Sequence, residues 1–349
     1  MKTDDDTVLI ENRGRTGRIT LNRPASLNAL THPMVLRIAG ALTRWERDPE
    51  VDQVLIRGAG ERGLCAGGDI RAIHDDAKAG SEASLDFWRD EYRLNAYIAR
   101  YPKPYVAFMD GIVMGGGVGV SAHGSVRIVT ERSRVAMPET GIGFVPDVGG
   151  THLLARAPGE LGTHLALTGT AVGAADALLC GLADHFLPAG ELAGLARELE
   201  ARPAGEVLSG QVFPAVPEGV LAAEREWIDH CYAADTVEEI HARLLATGLP
   251  AARGTAALLD AKSPTSLKVT LAALRRAREL GSLERVLTQE YRVSCVALFA
   301  PDLVEGVRAQ VIDKDRNPQW KPATLAEVDE TEVERYFEAP ADGRELTFP

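Results

Sequence analysis

Cysteine is scarce and scattered. The four present, Cys65, Cys180, Cys231 and Cys295, lie far apart and form no CxxC pair. That pattern suggests neither a zinc site nor a disulfide framework, and it fits a reducing compartment. Positive charge is also short, with 38 Lys and Arg against 50 Asp and Glu and a net charge of -12. Sequence-independent binding to nucleic acid needs clustered cations to displace counterions, and this balance works against it. A phosphorylated ligand stays open, because a few amides or an Arg can hold one locally. No apolar run approaches the length of a bilayer span. The start, Met1-Lys2-Thr3-Asp4-Asp5-Asp6, is acidic, unlike a secretory signal or an Arg-rich transit peptide. A cytoplasmic protein is the expectation. Internal repeats and low-complexity tracts are missing as well.

What is present is ordinary globular material. The 349 residues are 45% apolar and 25% charged, enough for a real core in one large domain or two smaller ones. Val8 to Asn12 and Arg18 to Asn22 read as short strands around a turn at Gly14 and Gly17. From Thr31 to Arg47 the residues Met34, Val35, Ile38, Leu42 and Trp45 recur at helical spacing, and Asp48-Pro49 ends the run. Val54 to Ile56, Tyr105 to Met109 and Val126 to Val129 read as buried strands, with a helical pattern over Phe87 to Ile98. Strand, helix, strand order with Gly-rich connections argues for α/β architecture. From about residue 190 helices take over: Leu192 to Leu199, Glu224 to Tyr232, Val237 to Leu245 and Leu267 to Leu280. Pro203, Pro214 and Pro217 punctuate a linker, and the polar tail beyond Pro318 is expected to wrap the surface. The expected organisation is a catalytic core over residues 1–190 and a mainly helical region over 191–349.

Three Gly-rich segments stand out. Cys65-Ala66-Gly67-Gly68-Asp69 follows the strand at Val54, and Met114-Gly115-Gly116-Gly117-Val118-Gly119 follows the strand at Tyr105. The third runs from Pro138-Glu139 to Pro146-Asp147-Val148-Gly149-Gly150 and holds two carboxylates eight residues apart. Glycine lets a backbone approach a ligand closely with its amides free to donate. Two such turns facing each other suit the oxyanion formed when a thioester carbonyl is attacked. Nearby carboxylates can serve as base, nucleophile or acid. Each feature also has an ordinary reading. Gly-rich stretches are turns, Pro-Asp-Val-Gly-Gly is good turn sequence, and Glu139 after Pro138 suits a first helical turn. Glu91 sits in the charged run Arg89-Asp90-Glu91-Tyr92-Arg93, where solvated carboxylates are the norm. Cys65 fits a small packed residue better than a nucleophile, and none of the eight histidines forms a motif. Gly117-Val118-Gly119-Val120-Ser121-Ala122 also matches the dinucleotide-binding GxGxxA pattern, with Glu139 about 20 residues on. No clear strand–helix–strand unit follows it.

Together the segments resemble the crotonase (enoyl-CoA hydratase/isomerase) superfamily. Asn22-Arg23-Pro24 with Leu27-Asn28-Ala29-Leu30, then CAGGDI at 65–70, then Pro104 to Met109 with DGIVMGGGVG at 110–119, follow its signatures in order. The resemblance implies a spiral of ββα repeats and a mainly helical C-terminal region. It also implies CoA thioester binding without a metal or other cofactor, and an oxyanion hole of two amides, here Gly68 and Gly116. Finer features resemble the 3-hydroxyisobutyryl-CoA hydrolase branch. They include Glu91 to Asn95, Ser121 to Gly124, Ala136 to Glu139, Phe144 to Gly150, Gly181 to His185, Ser263 to Leu267 and Glu290 to Arg292. By that likeness Glu91, Gly116, Glu139 and Asp147 contact the acyl group, with Glu139 and Asp147 catalytic.

One departure separates the chain from the hydratases. They carry a Glu three residues after the middle glycine of the GGG run, where this chain has Gly119. The second hydratase carboxylate corresponds to Glu139, and Asp147 is gained. Valine breakdown is the implied setting. The alternatives are an enoyl-CoA hydratase or isomerase and, suggested only by the glycines, a non-catalytic acyl-CoA- or nucleotide-binding protein. Nucleic acid and membrane are not expected as partners, and the sequence marks no oligomer interface.

Overall fold

β5 (Tyr105–Met109) is buried at every position, the pattern of a strand covered on both faces of a parallel sheet. It lies within a computed structural model that describes residues 6–216, 218–341 and 343–348. The acidic start before Asp6, and Pro217, lie outside the described residues. The other strands are β1 (Val8–Arg13), β2 (Thr16–Leu21), β3 (Gln53–Gly58), β4 (Gly63–Cys65), β6 (Ile112–Met114), β7 (Val126–Val129), β8 (Arg134–Ala136) and β9 (His185–Phe186). One sheet has the order β1-β2-β3-β5-β7-β9 and the other β4-β6-β8. From β3 onward the chain alternates between them, one strand in each per turn of the spiral. β1 and β2 pair antiparallel as a hairpin, and the remaining pairs of the larger sheet are parallel. Parallel neighbours need a long crossover; the one from β2 to β3 runs through the helix His32–Glu46, and each later one threads the smaller sheet.

Gly17, expected in the hairpin turn, lies inside β2 instead. Gly14, at φ +54, serves the turn. A Cβ on Gly17 would stand 2.5 Å from the Trp45 ring of the helix His32–Glu46, so close packing is what requires glycine there. The expected linker is also partly folded. Pro203 precedes a helix over Ala204–Gly210, which is compatible with proline because the first amides of a helix have no intrahelical acceptor. Ala204 and Val207 join a core with Leu55, Val106, Phe108, Ile128, Leu195 and Leu199. The buried Gln53 side chain accepts from Ala204 N at 3.0 Å.

The described residues form two compact units. The first takes Met1–Gly68, Arg93–Val135 and Val172–Gly219; the second takes Asp69–Tyr92, Ala136–Ala171 and Val220–Pro349. The first contains the larger sheet and the core just described. Successive helices dominate the second: Val220–Tyr232, Val237–Ala246, Pro250–Asp260, Pro264–Leu280, Leu283–Ala297 and Pro301–Val307. Their starts are written in the sequence. Thr236, Ser263 and Ser282 each accept an amide hydrogen three residues ahead, which satisfies one of the orphan donors of a helix start. The tail is less polar in effect than its composition suggests. It forms a helix over Glu330–Arg335, and Val328, Val333, Tyr336, Phe337 and Leu346 are buried.

Candidate active site

The two Gly-rich turns of the first unit face each other. A Cβ on Gly67 would lie 3.4 Å from the Met114 carbonyl oxygen and 3.8 Å from Gly116 N, and one on Gly117 would collide with the Cys65 carbonyl. Gly67 (φ +115) and Gly115 (φ +49) hold conformations that L side chains rarely adopt. Leu30 N–H donates to the Gly67 carbonyl at 2.8 Å and secures the first turn. In the second, Gly116 opens a four-residue helical turn, Gly116–Gly119, so its amide has no acceptor within that turn. That single turn replaces the long helix a dinucleotide fingerprint needs, so the GxGxxA match carries no such site. Gly119 is buried in the same turn and contributes no side chain.

The second unit gathers the carboxylates. Glu91 is 2% exposed, Glu139 6%, Asp147 5% and Glu290 1%, so the solvated reading of Glu91 does not hold. Four nearly dry carboxyls are rare unless paired or used. Glu91 Oε1 and Glu139 Oε2 have no hydrogen-bond partner among the described residues. Burial first, and then the charge of Asp147, push both side chains well above the ordinary carboxylate range. Lys262 partly opposes this at Glu139, and its own amine is pulled down by burial. Burial raises Asp147 to about 7, against the stabilising donor of Tyr92.

Local sequence aims each group. Pro138 leads into a 3-10 turn, Glu139–Ile142, ended by Gly143 at φ +72. A Cβ on Gly143 would collide with the Asp302 carbonyl. Phe144 then stacks on Trp88, with centroids 5.2 Å apart, one turn before Tyr92 on the helix Ala83–Ala99. Asp147 begins a tight turn closed by Gly150 N–H donating to its carbonyl at 2.6 Å. Both central residues have positive φ, Val148 at 52° and Gly149 at 79°. A β-branched residue in that region stores strain of about 1–3 kcal/mol. Glu290 offsets it. Its carboxyl oxygens accept from Gly149 N at 2.6 Å, Thr151 N at 3.0 Å and Thr151 Oγ1 at 2.5 Å.

Sequence reasoning singled out the segments of Tyr92 and Glu290 but gave neither side chain a role, and it passed over Ser294. The available signal was the spacing of Glu290 and Ser294, four apart on one helix. Tyr92 Oη donates to Asp147 Oδ2 at 2.7 Å and lies 2.8 Å from Ser294 Oγ.

Comparison with known proteins adds to this geometry. The profile of the family described as enoyl-CoA hydratase/isomerase matches residues 16–337. The chain is 44% identical to a protein of Rattus norvegicus named 3-hydroxyisobutyryl-CoA hydrolase, mitochondrial, across 99% of this chain and 92% of the relative. The human protein of that name is 43% identical, across 96% of this chain and 89% of its own length. Among solved structures, a carnitinyl-CoA dehydratase from Mycobacterium thermoresistibile superposes with a TM-score of 0.94 at 54% identity, covering 98% of this chain and 99% of that one. An enoyl-CoA hydratase from Rhodobacter sphaeroides 2.4.1 gives 0.92 at 46%, covering 98% and 100%. The expected spiral fold is borne out. The cytoplasmic expectation is not, because the hydrolase relatives are named mitochondrial. The scattered cysteines on which that expectation leaned carry no address and do not tell one compartment from another.

Proposed function

Because this chain belongs to the enoyl-CoA hydratase/isomerase family, we propose that it hydrolyses a short 3-hydroxyacyl-CoA thioester, 3-hydroxyisobutyryl-CoA in the first instance. The full-length likeness to hydrolases of that name, at 44% identity, carries the reading. In the proposed reaction the amides of Gly68 and Gly116 polarise the thioester carbonyl, each such donor typically contributing about 3–4 kcal/mol. Glu139 attacks as nucleophile, giving a transient anhydride, or takes a proton from the attacking water. Asp147 orients the substrate hydroxyl and assists proton transfer to the departing thiolate. Glu91 binds that hydroxyl or the water. No cofactor enters this scheme. Turnover abolished by exhaustive EDTA treatment and restored by a metal ion would contradict that part. The metabolic setting we assign is valine degradation.

A second reading, enoyl-CoA hydratase, is favoured by the description of the Rhodobacter sphaeroides structure. Gly119 counts against it, since it removes one of the two carboxylates that hold the hydrating water. Free-thiol release from a panel of CoA thioesters decides between them. Rapid release from 3-hydroxyisobutyryl-CoA is expected. Absent release, with hydration of crotonyl-CoA, would overturn the proposal.

A further inference from the structure

Behind Asp147 runs a single file of buried oxygens. Asp147 Oδ2 lies 2.7 Å from Tyr92 Oη, Tyr92 Oη 2.8 Å from Ser294 Oγ, and Ser294 Oγ 2.9 Å from the main-chain carbonyl of Glu290. Tyr92 and Ser294 are both 0% exposed, so water does not complete the set from outside. Three contacts need three hydrogens. Each hydroxyl supplies one and the carbonyl none.

The count closes when Asp147 is protonated. Asp147 then donates to Tyr92, Tyr92 to Ser294, and Ser294 to the Glu290 carbonyl. When Asp147 is ionised, both hydroxyls turn round. Tyr92 donates to the carboxylate, a charge-assisted bond about twice as strong as a neutral one, and Ser294 donates to Tyr92. The Glu290 carbonyl does not suffer from the change, because it faces the amide of Ser294 four residues on within the helix Leu283–Ala297. Both protonation states therefore have a fitting arrangement, and they differ only in the direction of two hydroxyls.

We propose that Tyr92 and Ser294 are positioning residues forming a two-state hydroxyl relay, which stabilises Asp147 in both its neutral and its ionised form. The use of this relay rests on the hydrolase reading above. As the C–S bond breaks, Asp147 gives its proton to the thiolate sulfur and becomes a carboxylate that Tyr92 turns to meet. A proton from the water consumed then restores it. Apart from Tyr92 itself, the groups whose charge is felt with that of Asp147 are Glu91 on the helix Ala83–Ala99, Glu139 on its 3-10 turn and Glu290 on the helix Leu283–Ala297. All are carboxyls. Asp147 takes its side-chain donor from the Tyr92 hydroxyl of the relay, whereas Glu290 accepts from Gly149 N, Thr151 N and Thr151 Oγ1.

The test is an infrared pH titration of the protonated-carboxyl band, assigned to Asp147 by its loss in Asp147→Asn. In the wild type its midpoint is expected near the value of about 7 to which burial raises Asp147. Tyr92→Phe keeps the ring and removes the donor to the carboxylate. It should move the midpoint up by about one pH unit, tenfold in the protonation equilibrium. Ser294→Ala should move it the same way by less, and Ser294→Thr, which retains the hydroxyl, should restore it. An unmoved or lowered midpoint in Tyr92→Phe, or no shift in Ser294→Ala, overturns the relay. Thiol release is read separately. Midpoints that move as expected in a protein that releases no thiol from 3-hydroxyisobutyryl-CoA would retain the relay and remove the functional reading.

Discussion

Glu290 holds the backbone of Gly149 through a 2.6 Å hydrogen bond across 141 residues of sequence. The bond secures the positive-φ turn that follows Asp147, so a carboxyl on a C-terminal helix determines where a carboxyl on a distant loop can point. Replacing Glu290 by Ala leaves the amides of Gly149 and Thr151 and the Thr151 hydroxyl without acceptors. A destabilisation of roughly 2–5 kcal/mol is expected, since each buried unsatisfied donor costs about 1–3 kcal/mol and relaxation recovers part. Urea denaturation measures it. Turnover should fall with it, while Glu290→Gln should lose less of both.

The two carboxylates assigned to the reaction should behave as one unit. Glu139→Gln and Asp147→Asn should each lower kcat by two or more orders of magnitude, on the order of the loss of a general acid–base group, and leave KM nearly unchanged. The double variant should lose little more than the worse single one, because groups acting on the same bond are not additive. Near-normal kcat in either single variant would return that residue to a structural role in its turn.

Oxygen-18 water distinguishes the two routes open to Glu139. In a single turnover, label found in the Glu139 carboxyl reports attack through an anhydride, and label confined to the product acid reports direct attack by water. Glu139 Oε2 has no partner among the described residues, which leaves it available for either role.

Stability should decline as pH rises. Burial raises Glu290 to about 8 and Asp147 to about 7, and raises Glu91 and Glu139 as well. Folding therefore favours the neutral carboxyls. Their contribution is fully present below their unfolded values, near pH 4, and is lost as pH rises through the folded ones. The unfolding free energy should fall between about pH 5 and pH 8.5, and Glu290→Gln should flatten the upper part of that fall. If Glu139 acts as a carboxylate, activity should rise with pH over part of the same range. A pH-independent unfolding free energy would contradict the buried-carboxyl account.

Gly119 gives the sharpest functional expectation. Crotonyl-CoA should be hydrated negligibly where a 3-hydroxyacyl-CoA is hydrolysed readily. Gly119→Glu alone should not create an efficient hydratase, because a new buried carboxylate needs hydrogen-bonding neighbours built around it. Hydration outpacing thiol release in the wild type would reverse the assignment.

Local rules carried much of this in the linear sequence. The strands at Tyr105 and Val126, the helix after Thr31 and the capped helices after Thr236 and Ser263 follow from periodicity and end signals, which act between near neighbours. The glycines at 67 and 115 were legible for the same reason: their φ values are a local demand. The absence of a carboxylate at Gly119 needed no structure at all. Burial was not legible. Glu91 sits in a run of charges that reads as solvated, and only packing in three dimensions makes it 2% exposed. Gly17 read as a turn residue because nothing nearby in sequence announces the Trp45 ring. The hold of Glu290 on the Asp147 turn, and the file from Asp147 through Tyr92 to Ser294, join residues 55 to 202 positions apart. Desolvation and hydrogen-bond partners depend on what folding brings together, so these relationships were settled by the tertiary structure alone.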